Sequence, residues 1–362
     1  MFFLSKLSGL LIFLSFLTTL YSYFFSENLL IIAGIFAWVS FLILFSSLKN
    51  KTIIIVLLIL SVFAFCFSYF NGYKIDFVKV FTVNQYLLTL LIGVGFLRLI
   101  ATPKKDKLTQ FPIGKDSFIK TYFGVHLFGS VINLSSLILV ADKMYKKSPL
   151  TNTQVVLLTR AFASDAYWSP FFVAFAAAIT YAPKLDTSII LLNGIVLAFF
   201  AFLITYFEVV KNKEFKLDEF RGYPLSFESL YVPFILAILV LVTNYIYPNI
   251  KVIVLISTFS IFITLLIFPF KKGLSQSLIK FNNHVIEELP KMKVEIALFL
   301  VAGMFGISIS SILIGLNLDL PFKIFDWQIA SILLFIFIML AFIGIHPIIT
   351  IAIIGDFLGG VN

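Results

Sequence analysis

The chain has 362 residues, of which 60% are hydrophobic and only 12% are charged. Soluble globular domains carry about 25% charged residues, so the chain has too little polar surface to cover a water-exposed particle. This composition excludes a soluble enzyme, a DNA-binding module and a disordered tail, and it predicts an all-α polytopic membrane protein. We attribute the net charge of +9 to Lys and Arg in cytoplasmic loops, not to nucleic-acid binding.

Apolar segments follow one another from end to end, and most approach the 20 or so residues that a transmembrane helix needs. None alternates polar and apolar residues as the strands of a membrane barrel do. No small-residue cleavage site follows the first run, which indicates an uncleaved span. The segments are 7–24, 29–47, 53–70, 84–101, 118–140, 154–182, 187–208, 230–248, 252–269, 294–316 and 328–354.

The positions of Lys and Arg predict the topology, because cytoplasmic loops are enriched in these residues. With a cytoplasmic N-terminus, a complete crossing by 118–140 would leave most later cations outside. If 118–140 instead enters and leaves on the cytoplasmic side, they all face inward. We therefore predict a re-entrant hairpin there; the alternative is a close-packed helix with a small-residue face. The cations concerned are Lys143, Lys146, Lys147, Lys211, Lys213, Lys216, Arg221, Lys271, Lys272, Lys280, Lys291 and Lys293.

A short repeat supports this topology. Gly124-Val125-His126 in the hairpin is echoed by Gly344-Ile345-His346. An odd number of predicted spans separates the copies, so the second stretch would enter from the opposite face, as in the inverted repeats of many transporters. We expect about nine full spans plus two re-entrant hairpins. The predicted regions are N-terminal helices in 1–83, a first repeat in 84–208 with the hairpin at 118–140 and a broken helix at 154–182, a cytoplasmic linker at 209–229 and a second, incomplete repeat in 230–362.

The second repeat is the shorter one. Beyond Gly124, the first repeat continues through two further spans, whereas only 18 residues follow Gly344 in the 362-residue chain. If the repeats are equivalent, the natural protein should extend about 60–80 residues further at its C-terminus. A longer reading frame in the source DNA would confirm this expectation, and a stop codon after Asn362 would contradict it.

Segment 154–182 contains the sharpest candidate site. Arg160 and Asp165 stand in a span otherwise built from Val, Phe and Ala, and Ser169 and Pro170 follow. A charge at the bilayer centre costs about 2.5 kcal/mol or more, and a proline favours a break in a helix. We expect both charges to lie beside an aqueous cavity, where Arg160 attracts an anion and Asp165 accepts a proton or binds a cation. In the alternative, Arg160 extends to the cytoplasmic surface and Asp165 caps a broken helix.

Neutral groups and histidines complete the predicted site. Hydroxyl and amide side chains near the hairpin tip are suited to bind solute oxygens or Na⁺, and histidines titrate near neutral pH; helix–helix hydrogen bonding is the alternative for both. Cys66 is the single cysteine, and the histidines show no metal-ligand spacing, so we expect no metal site and no catalytic residue. The predicted solute- or ion-binding residues are Asn133, Ser135, Ser136, Arg160, Asp165, Ser169, Thr350 and Asp356, with His126 and His346 as proton or hydrogen-bonding groups.

Residues 274–289 have the pattern of an amphipathic helix. Apolar residues recur at steps of three and four among Lys, Asn and Glu. This pattern predicts a helix that lies in the membrane interface, with His284 on its polar side.

Three of these features together resemble the ion-transporter superfamily, which includes the divalent-anion/sodium symporters, arsenite permeases and citrate permeases. They are the Gly-Val-His…Asn-Leu-Ser-Ser hairpin at 124–136, the broken span at 160–170 and the Gly-Ile-His-Pro copy at 344–347. The similarity covers about residues 84–362 in layout, and the Ser-Asn-Thr signature does not stand at the proposed hairpin tip. The resemblance implies a midplane site between two opposed hairpins, transport of an organic or inorganic anion with Na⁺ or H⁺, and a homodimer with an elevator motion.

The sequence thus predicts a secondary transporter of the bacterial inner membrane that moves a small, anionic solute by alternating access. An ion gradient of Na⁺ or H⁺ would drive it, because no nucleotide-binding motif is present. The expected partners are membrane lipid and the solute, without a cofactor, nucleic acid or enzymatic activity. The alternative is a lipid-linked glycan polymerase or ligase. Such an enzyme needs a sizeable outer loop with Arg, His or acidic groups, whereas the longest predicted outer loops here are 71–83 and 317–327.

Overall fold

The structure is a computed structural model of the chain, and its regular elements are helices. Among the residues that it describes there is no β-strand; an isolated bridge joins Ile113 and Arg221. The all-α class predicted from composition is therefore confirmed for this part of the chain. The described residues are 2–49, 51–101, 111–132, 134–182, 186–223, 231–317 and 325–358.

The helices are numbered in chain order. They are α1 (Phe2–Phe25), α2 (Leu29–Phe45), α3 (Thr52–Phe70), α4 (Phe77–Thr82), α5 (Gln85–Ala101), α6 (Lys115–Ile132), α7 (Leu134–Tyr145), α8 (Asn152–Ala163), α9 (Val173–Tyr181), α10 (Thr187–Lys211), α11 (Tyr231–Ile246), α12 (Val252–Lys272), α13 (Leu274–Asn283), α14 (Lys293–Gly315), α15 (Trp327–Phe342) and α16 (Pro347–Leu358).

Six helical stretches of the described chain are long and apolar enough to cross a membrane. Their large apolar side chains are often exposed, for example Phe63, Leu192 and Ile204, which suits a surface that faces lipid and not water. These helices are those of a membrane protein; the count of about nine full spans stays a prediction. The six stretches are Phe3–Phe25, Thr52–Phe70, Phe77–Ile100, Thr187–Lys211, Val252–Lys272 and Leu274–Gly315, and shorter apolar helices cover Leu29–Phe45, Phe234–Ile246 and Trp327–Phe342.

The chain divides into two compact units, and each contains separate parts of the sequence. The first unit consists of Met1–Ile92, Ala177–Lys184 and Phe281–Asn362. The second consists of Gly93–Ala176 and Leu185–Lys280. The predicted broken helix at 154–182 therefore contributes to both units.

In the first unit, α14 packs against α2, α3 and α16. Small residues on α14 permit these close approaches, as is usual between membrane helices. A Cβ atom added at Gly306 would lie 2.8 Å from the carbonyl oxygen of Ala352 on α16. A polar link adds to the apolar packing, since the amide of Asn84 donates to the carbonyl of Phe299 at 2.7 Å and the hydroxyl of Tyr181 donates to Asn84 at 2.8 Å.

The helix that begins at 274 does not continue as one regular amphipathic helix. After α13, residues His284–Glu288 form a π-helical turn that packs against α1. His284, which the sequence places on the polar side, is buried there. The close approach depends on the absence of a side chain at Gly9 of α1, because a Cβ atom there would lie 2.2 Å from the carbonyl oxygen of Val285.

In the second unit, the chain reverses its direction between α6 and α7. The backbone N–H of Tyr223 donates to Thr121 of α6 at 2.9 Å, and its hydroxyl accepts from Lys143 of α7 at 2.5 Å. A straight helix from Thr121 to Lys143 would be about 33 Å long at 1.5 Å per residue, which is too far for two contacts with one tyrosine. The ammonium group of Lys147, after α7, also lies 5.8 Å from the ring centroid of Phe111, before α6.

Helix α8 is interrupted where the sequence combines polar residues with proline. It begins at a capping box, in which Thr151 and Gln154 each accept a hydrogen bond from the other's backbone N–H. Such a box satisfies two N–H groups that lack partners within the helix. After α8, Ser164–Tyr167 form a 3₁₀ turn, and the α-helical backbone resumes only at Val173. This interruption brings the side chains of 164–169 towards α6.

Candidate functional site

A buried histidine and a buried aspartate meet in the second unit. His126 of α6 places its Nδ1 atom 2.8 Å from Oδ1 of Asp165 in the 3₁₀ turn. The same Nδ1 lies 2.9 Å from the hydroxyl of Ser164 and 3.2 Å from the carbonyl oxygen of Ala161. Asp165 has 0% of its surface exposed and His126 has 8%. We call these two residues the His126–Asp165 pair.

The periodicity of α6 explains why His126 reaches this turn. Tyr122, His126 and Gly129 are spaced by four and three residues, so they lie on one face of the helix. The carboxylate of Asp165 can pack against α6 because Gly129 has no side chain. A Cβ atom at Gly129 would lie 1.9 Å from Oδ2 of Asp165. The hydroxyl of Tyr122 extends the polar contacts and lies 3.3 Å from that of Ser164.

A tryptophan determines which nitrogen of the imidazole carries the proton. The indole Nε1–H of Trp168 donates to Nε2 of His126 at 3.0 Å. An indole N–H can only donate, so Nε2 accepts and must be unprotonated. The proton of the neutral imidazole is then on Nδ1, the nitrogen that hydrogen-bonds Ala161 and Ser164 and lies 2.8 Å from Oδ1 of Asp165. Trp168, His126 and Asp165 thus lie in a row of successive contacts.

The carboxylate of Asp165 is incompletely satisfied. Within the part of the chain that the structure describes, neither of its oxygens accepts a hydrogen bond of regular geometry. Oδ1 has the short contact with His126, whereas Oδ2 lies against Gly129. Burial of an ionised carboxylate without full pairing costs several kcal/mol. A proton or cation bound at Oδ2 would remove that cost, so Oδ2 is the atom at which this site can take up an ion.

A second contact holds the non-helical segment on α6. The hydroxyl of Ser169 donates to the carbonyl oxygen of Ser130 and accepts from the backbone N–H of Phe171 at 3.2 Å. Ser169 is fully buried. The hydroxyl of Ser169 therefore both donates and accepts a hydrogen bond within the protein. These bonds stabilise the segment that follows the turn with Asp165.

A cavity of about 270 Å³ lies next to Trp168 in the same unit. Its walls come from α6, the 168–171 segment, α10, α11 and the start of α12, and most of the lining residues are apolar. The polar side chains among them are Ser130, Trp168, Thr187, Ser188 and Asn244. Trp168 is thus shared between this cavity and the His126–Asp165 pair.

The chain was compared with protein-family models, curated proteins and solved structures. No match was found in any of the three. The resemblance to the ion-transporter superfamily accordingly stays a prediction that depends on the motifs at 124–136, 160–170 and 344–347.

Arg160 does not join the pair. Its guanidinium forms two contacts with the carboxylate of Glu208 on α10, at 2.5 Å and 3.2 Å. The side chains are 40% and 45% exposed. A guanidinium that is already paired with a carboxylate has little charge left to attract an anion. The structure therefore separates the two charged residues that the sequence placed together at one cavity.

The other residues predicted in the first repeat are only partly described. Ser136 is buried in α7. Asn133 lies outside the described residues, and so does the side chain of Ser135. Of the three residues predicted at the hairpin tip, Ser136 is the one whose side chain the structure describes.

The residues predicted in the second repeat belong to the first unit. Thr350 is buried in α16, and the side chain of Asp356 lies outside the described residues. Nδ1 of His346 accepts from the backbone N–H of Ile348 at 3.2 Å, so this histidine caps the start of α16. The repeated triplets also differ locally, because Gly124 lies within α6 whereas Gly344 has φ +95 in the turn before α16.

Sequence reasoning missed several groups that define the site. Trp168 and Ser164 stand within the motif that drew attention to Asp165, but nothing in their spacing shows that they would contact a histidine far away in the sequence. Gly129 carries no chemical group at all, and its importance follows only from the packing. In the sequence, Glu208 is the last residue of the predicted span 187–208, and nothing there indicates that it pairs with Arg160.

Proposed function

We propose that this protein is a proton-coupled secondary transporter of a small solute, in which the His126–Asp165 pair binds the coupling proton. One observation carries the proposal: the buried carboxylate of Asp165 has an imidazole at Oδ1 and, among the described residues, no hydrogen-bond partner at Oδ2. Ionisable residues within apolar helices commonly belong to ion or proton pathways.

A proton fits the pair better than Na⁺ does. Hard cations are bound by several oxygen atoms, usually from carboxylates, carbonyls and water. The groups nearest to Asp165 include an imidazole nitrogen, and behind it the indole of Trp168, neither of which is a ligand for a hard cation. We therefore assign H⁺ as the coupling ion and retain Na⁺ as the result that would correct this assignment.

Protonation would change the net charge of the pair and, with it, the cost of burial. Trp168 keeps Nε2 of His126 unprotonated, so the pair has one negative charge when Asp165 is ionised. A proton at Oδ2 makes the pair neutral. The neutral pair is stable in an apolar interior, whereas the charged pair gains several kcal/mol from access to water. This difference is the physical basis for coupling a proton gradient to a change in access.

The backbone around the pair supports a transporter architecture. The contacts of Tyr223 with Thr121 and Lys143 indicate that the chain reverses between α6 and α7, and α8 is interrupted before residue 173. Non-helical backbone at membrane depth is tolerated only against protein or water, and broken helices form the central sites of many transporters. These features support the proposal of a re-entrant hairpin at 118–140, within inverted repeats and about nine full spans.

The cellular setting belongs to the same proposal. The distribution of Lys and Arg supports a cytoplasmic N-terminus, and the motif resemblance supports the inner membrane of a bacterium and a homodimer as the working unit. The pairing of Arg160 with Glu208 removes the main sequence argument for an anionic solute, so the proposal does not depend on one.

The test is uptake by the purified full chain in proteoliposomes, with an imposed pH gradient and a panel of labelled small solutes. We expect uptake that depends on the pH gradient and is lost in Asp165→Asn. The matched control is Asp142→Asn, which removes the charge of an exposed aspartate on α7 and should leave uptake unchanged. Uptake by Asp165→Asn at the wild-type rate, or uptake that requires Na⁺ and not a pH gradient, would overturn the assignment.

A further inference from the structure

The described residues that line the cavity beside Trp168 carry no charge. Its volume of about 270 Å³ is slightly below the range of roughly 300–1,000 Å³ that is usual for ligand pockets, so only a small molecule would fit. Among the described residues that line it there is no Lys, Arg, His, Asp or Glu. Leu, Ile, Val and Phe side chains form most of the surface, with apolar contributions from α6, α10 and α11.

The electrostatics of this cavity disfavour an anion. A charge that is held away from water without a counter-ion costs several kcal/mol, and the described lining residues include no cation. Two carboxylates lie near this lining: Asp165 lies behind Trp168, through His126, and Asp186 accepts from the backbone N–H of the lining residue Ser188 at 2.8 Å. When ionised, Asp165 would add repulsion for a negatively charged solute.

The polar groups of the lining are neutral. Ser130, Thr187, Ser188 and Asn244 contribute hydroxyl and amide side chains. Such groups donate and accept hydrogen bonds without a net charge. A mainly apolar wall with a few neutral polar groups is typical of a site that orients a hydroxyl or amide group and buries a hydrocarbon body.

Trp168 connects this cavity to the protonation of the pair. The residue lines the cavity, and its Nε1–H holds Nε2 of His126 in the acceptor state. A solute that displaces the indole would break this hydrogen bond and release Nε2. The occupancy of the cavity and the protonation of the pair would then depend on each other, as reciprocal coupling between two sites requires.

We infer that this cavity is the solute site of the proposed transporter, and that it takes a small, uncharged, mainly apolar solute with one hydroxyl or amide group. The inference rests on the proposed function and deepens it. It replaces the anion that the family resemblance implies with a neutral solute. Trp168 is the positioning residue that links the solute to His126.

The test compares two probes of nearly equal shape, cyclohexylmethanol and cyclohexanecarboxylate, at neutral pH. Their binding to the purified full chain is measured by equilibrium dialysis. We expect the alcohol to bind at least about tenfold more tightly, a difference of about 1.4 kcal/mol. Tighter binding of the carboxylate, or no binding of either probe, would overturn the inference.

A pair of substitutions locates the site. Ala237→Phe fills the cavity from α11 and should weaken binding of the alcohol about tenfold or more. Ala174→Phe adds the same side chain at an exposed position of α9 and should not change it. Equal effects of the two substitutions would show partition into lipid or detergent and would overturn the site.

Binding and uptake separate this inference from the proposed function. Asp165→Asn leaves the lining of the cavity intact, so it should still bind the alcohol although it does not support uptake. Gradient-driven uptake without binding of the alcohol would overturn the solute class alone. Binding of the alcohol without any gradient-driven uptake would overturn the proposed transport function and keep the site.

Discussion

Arg160 and Asp165 stand close together in one apolar stretch, yet the structure gives them opposite environments. Arg160 is 40% exposed and forms a two-point ion pair with Glu208. Asp165 is fully buried, with its Oδ2 atom unpartnered among the described residues. An exposed ion pair contributes about 0–1 kcal/mol, whereas an incompletely paired buried carboxylate costs several kcal/mol. A charge in an apolar stretch therefore indicates an ion site only when burial and partners leave it unsatisfied.

The largest expected effect is on transport. Asp165→Asn keeps the shape of the side chain but removes its titratable group, so gradient-driven uptake should be lost. Glu208→Gln changes the exposed pair in the same way and should retain uptake within about twofold, because a surface pair contributes little. Uptake in proteoliposomes measures both. Similar losses in the two variants would break the contrast between buried and exposed carboxylates.

The second expected effect is on stability, through the space that Gly129 leaves for Asp165. A methyl group at this position would lie 1.9 Å from Oδ2, and overpacking of this kind costs about 1–3 kcal/mol. We therefore expect Gly129→Ala to lower the Tm of the purified protein.

The control for this effect is a double substitution. In the Asp165→Ala background the obstructing oxygen is absent, so Gly129→Ala should have little effect on Tm. An equal decrease in both backgrounds would show that another neighbour, and not Asp165, requires glycine at position 129.

A smaller effect is expected on the tautomer of His126. Trp168→Phe preserves an aromatic ring but removes the Nε1–H donor to Nε2, a bond that contributes about 1 kcal/mol. Nitrogen NMR of the imidazole should show proton on Nδ1 in the wild type and a mixture of tautomers in the variant. The chain has three histidines, so His126→Gln assigns the signal.

The matched control for the tautomer is Trp327→Phe, because Trp327 is 75% exposed and belongs to the other unit. This variant should leave the His126 signal unchanged. A mixture of tautomers already in the wild type would contradict the role given to Trp168.

The smallest effect is expected at the exposed pair itself. Arg160→Gln should lower the free energy of unfolding by less than about 1 kcal/mol, and added salt should reduce the difference further. Denaturant unfolding in lipid or detergent at two salt concentrations measures this. A loss of several kcal/mol that salt does not affect would show that Arg160 is as important as Asp165 and would remove the contrast.

Much of the fold follows from local patterns in the sequence. Long apolar runs predict helices because, in lipid, the backbone N–H and C=O groups must form their hydrogen bonds within the segment. The combination of Asp165 with Pro170 likewise predicted a break in the helical backbone. By contrast, the two compact units combine distant segments, so no local pattern shows that 177–184 belongs with 281–362. The π-helical turn at 284–288 likewise depends on its packing against α1.

The site was less predictable than the fold. His126 and Asp165 could each be selected as unusual polar residues, but their contact depends on the interruption of α8 and on the absence of a side chain at Gly129. The pairing of Arg160 depends on Glu208, which lies 48 residues further along the chain. Contacts between distant residues of this kind are properties of the packing and not of any motif.

The most direct measurement of the central claim is infrared difference spectroscopy of the full chain in lipid between high and low pH. We expect a carboxylic-acid C=O band that appears when Asp165 takes up its proton, that is absent in Asp165→Asn and that persists in the exposed control Asp142→Asn. A band of equal intensity in the wild type and Asp165→Asn would show that Asp165 does not bind the coupling proton, and would contradict the mechanism proposed for this protein.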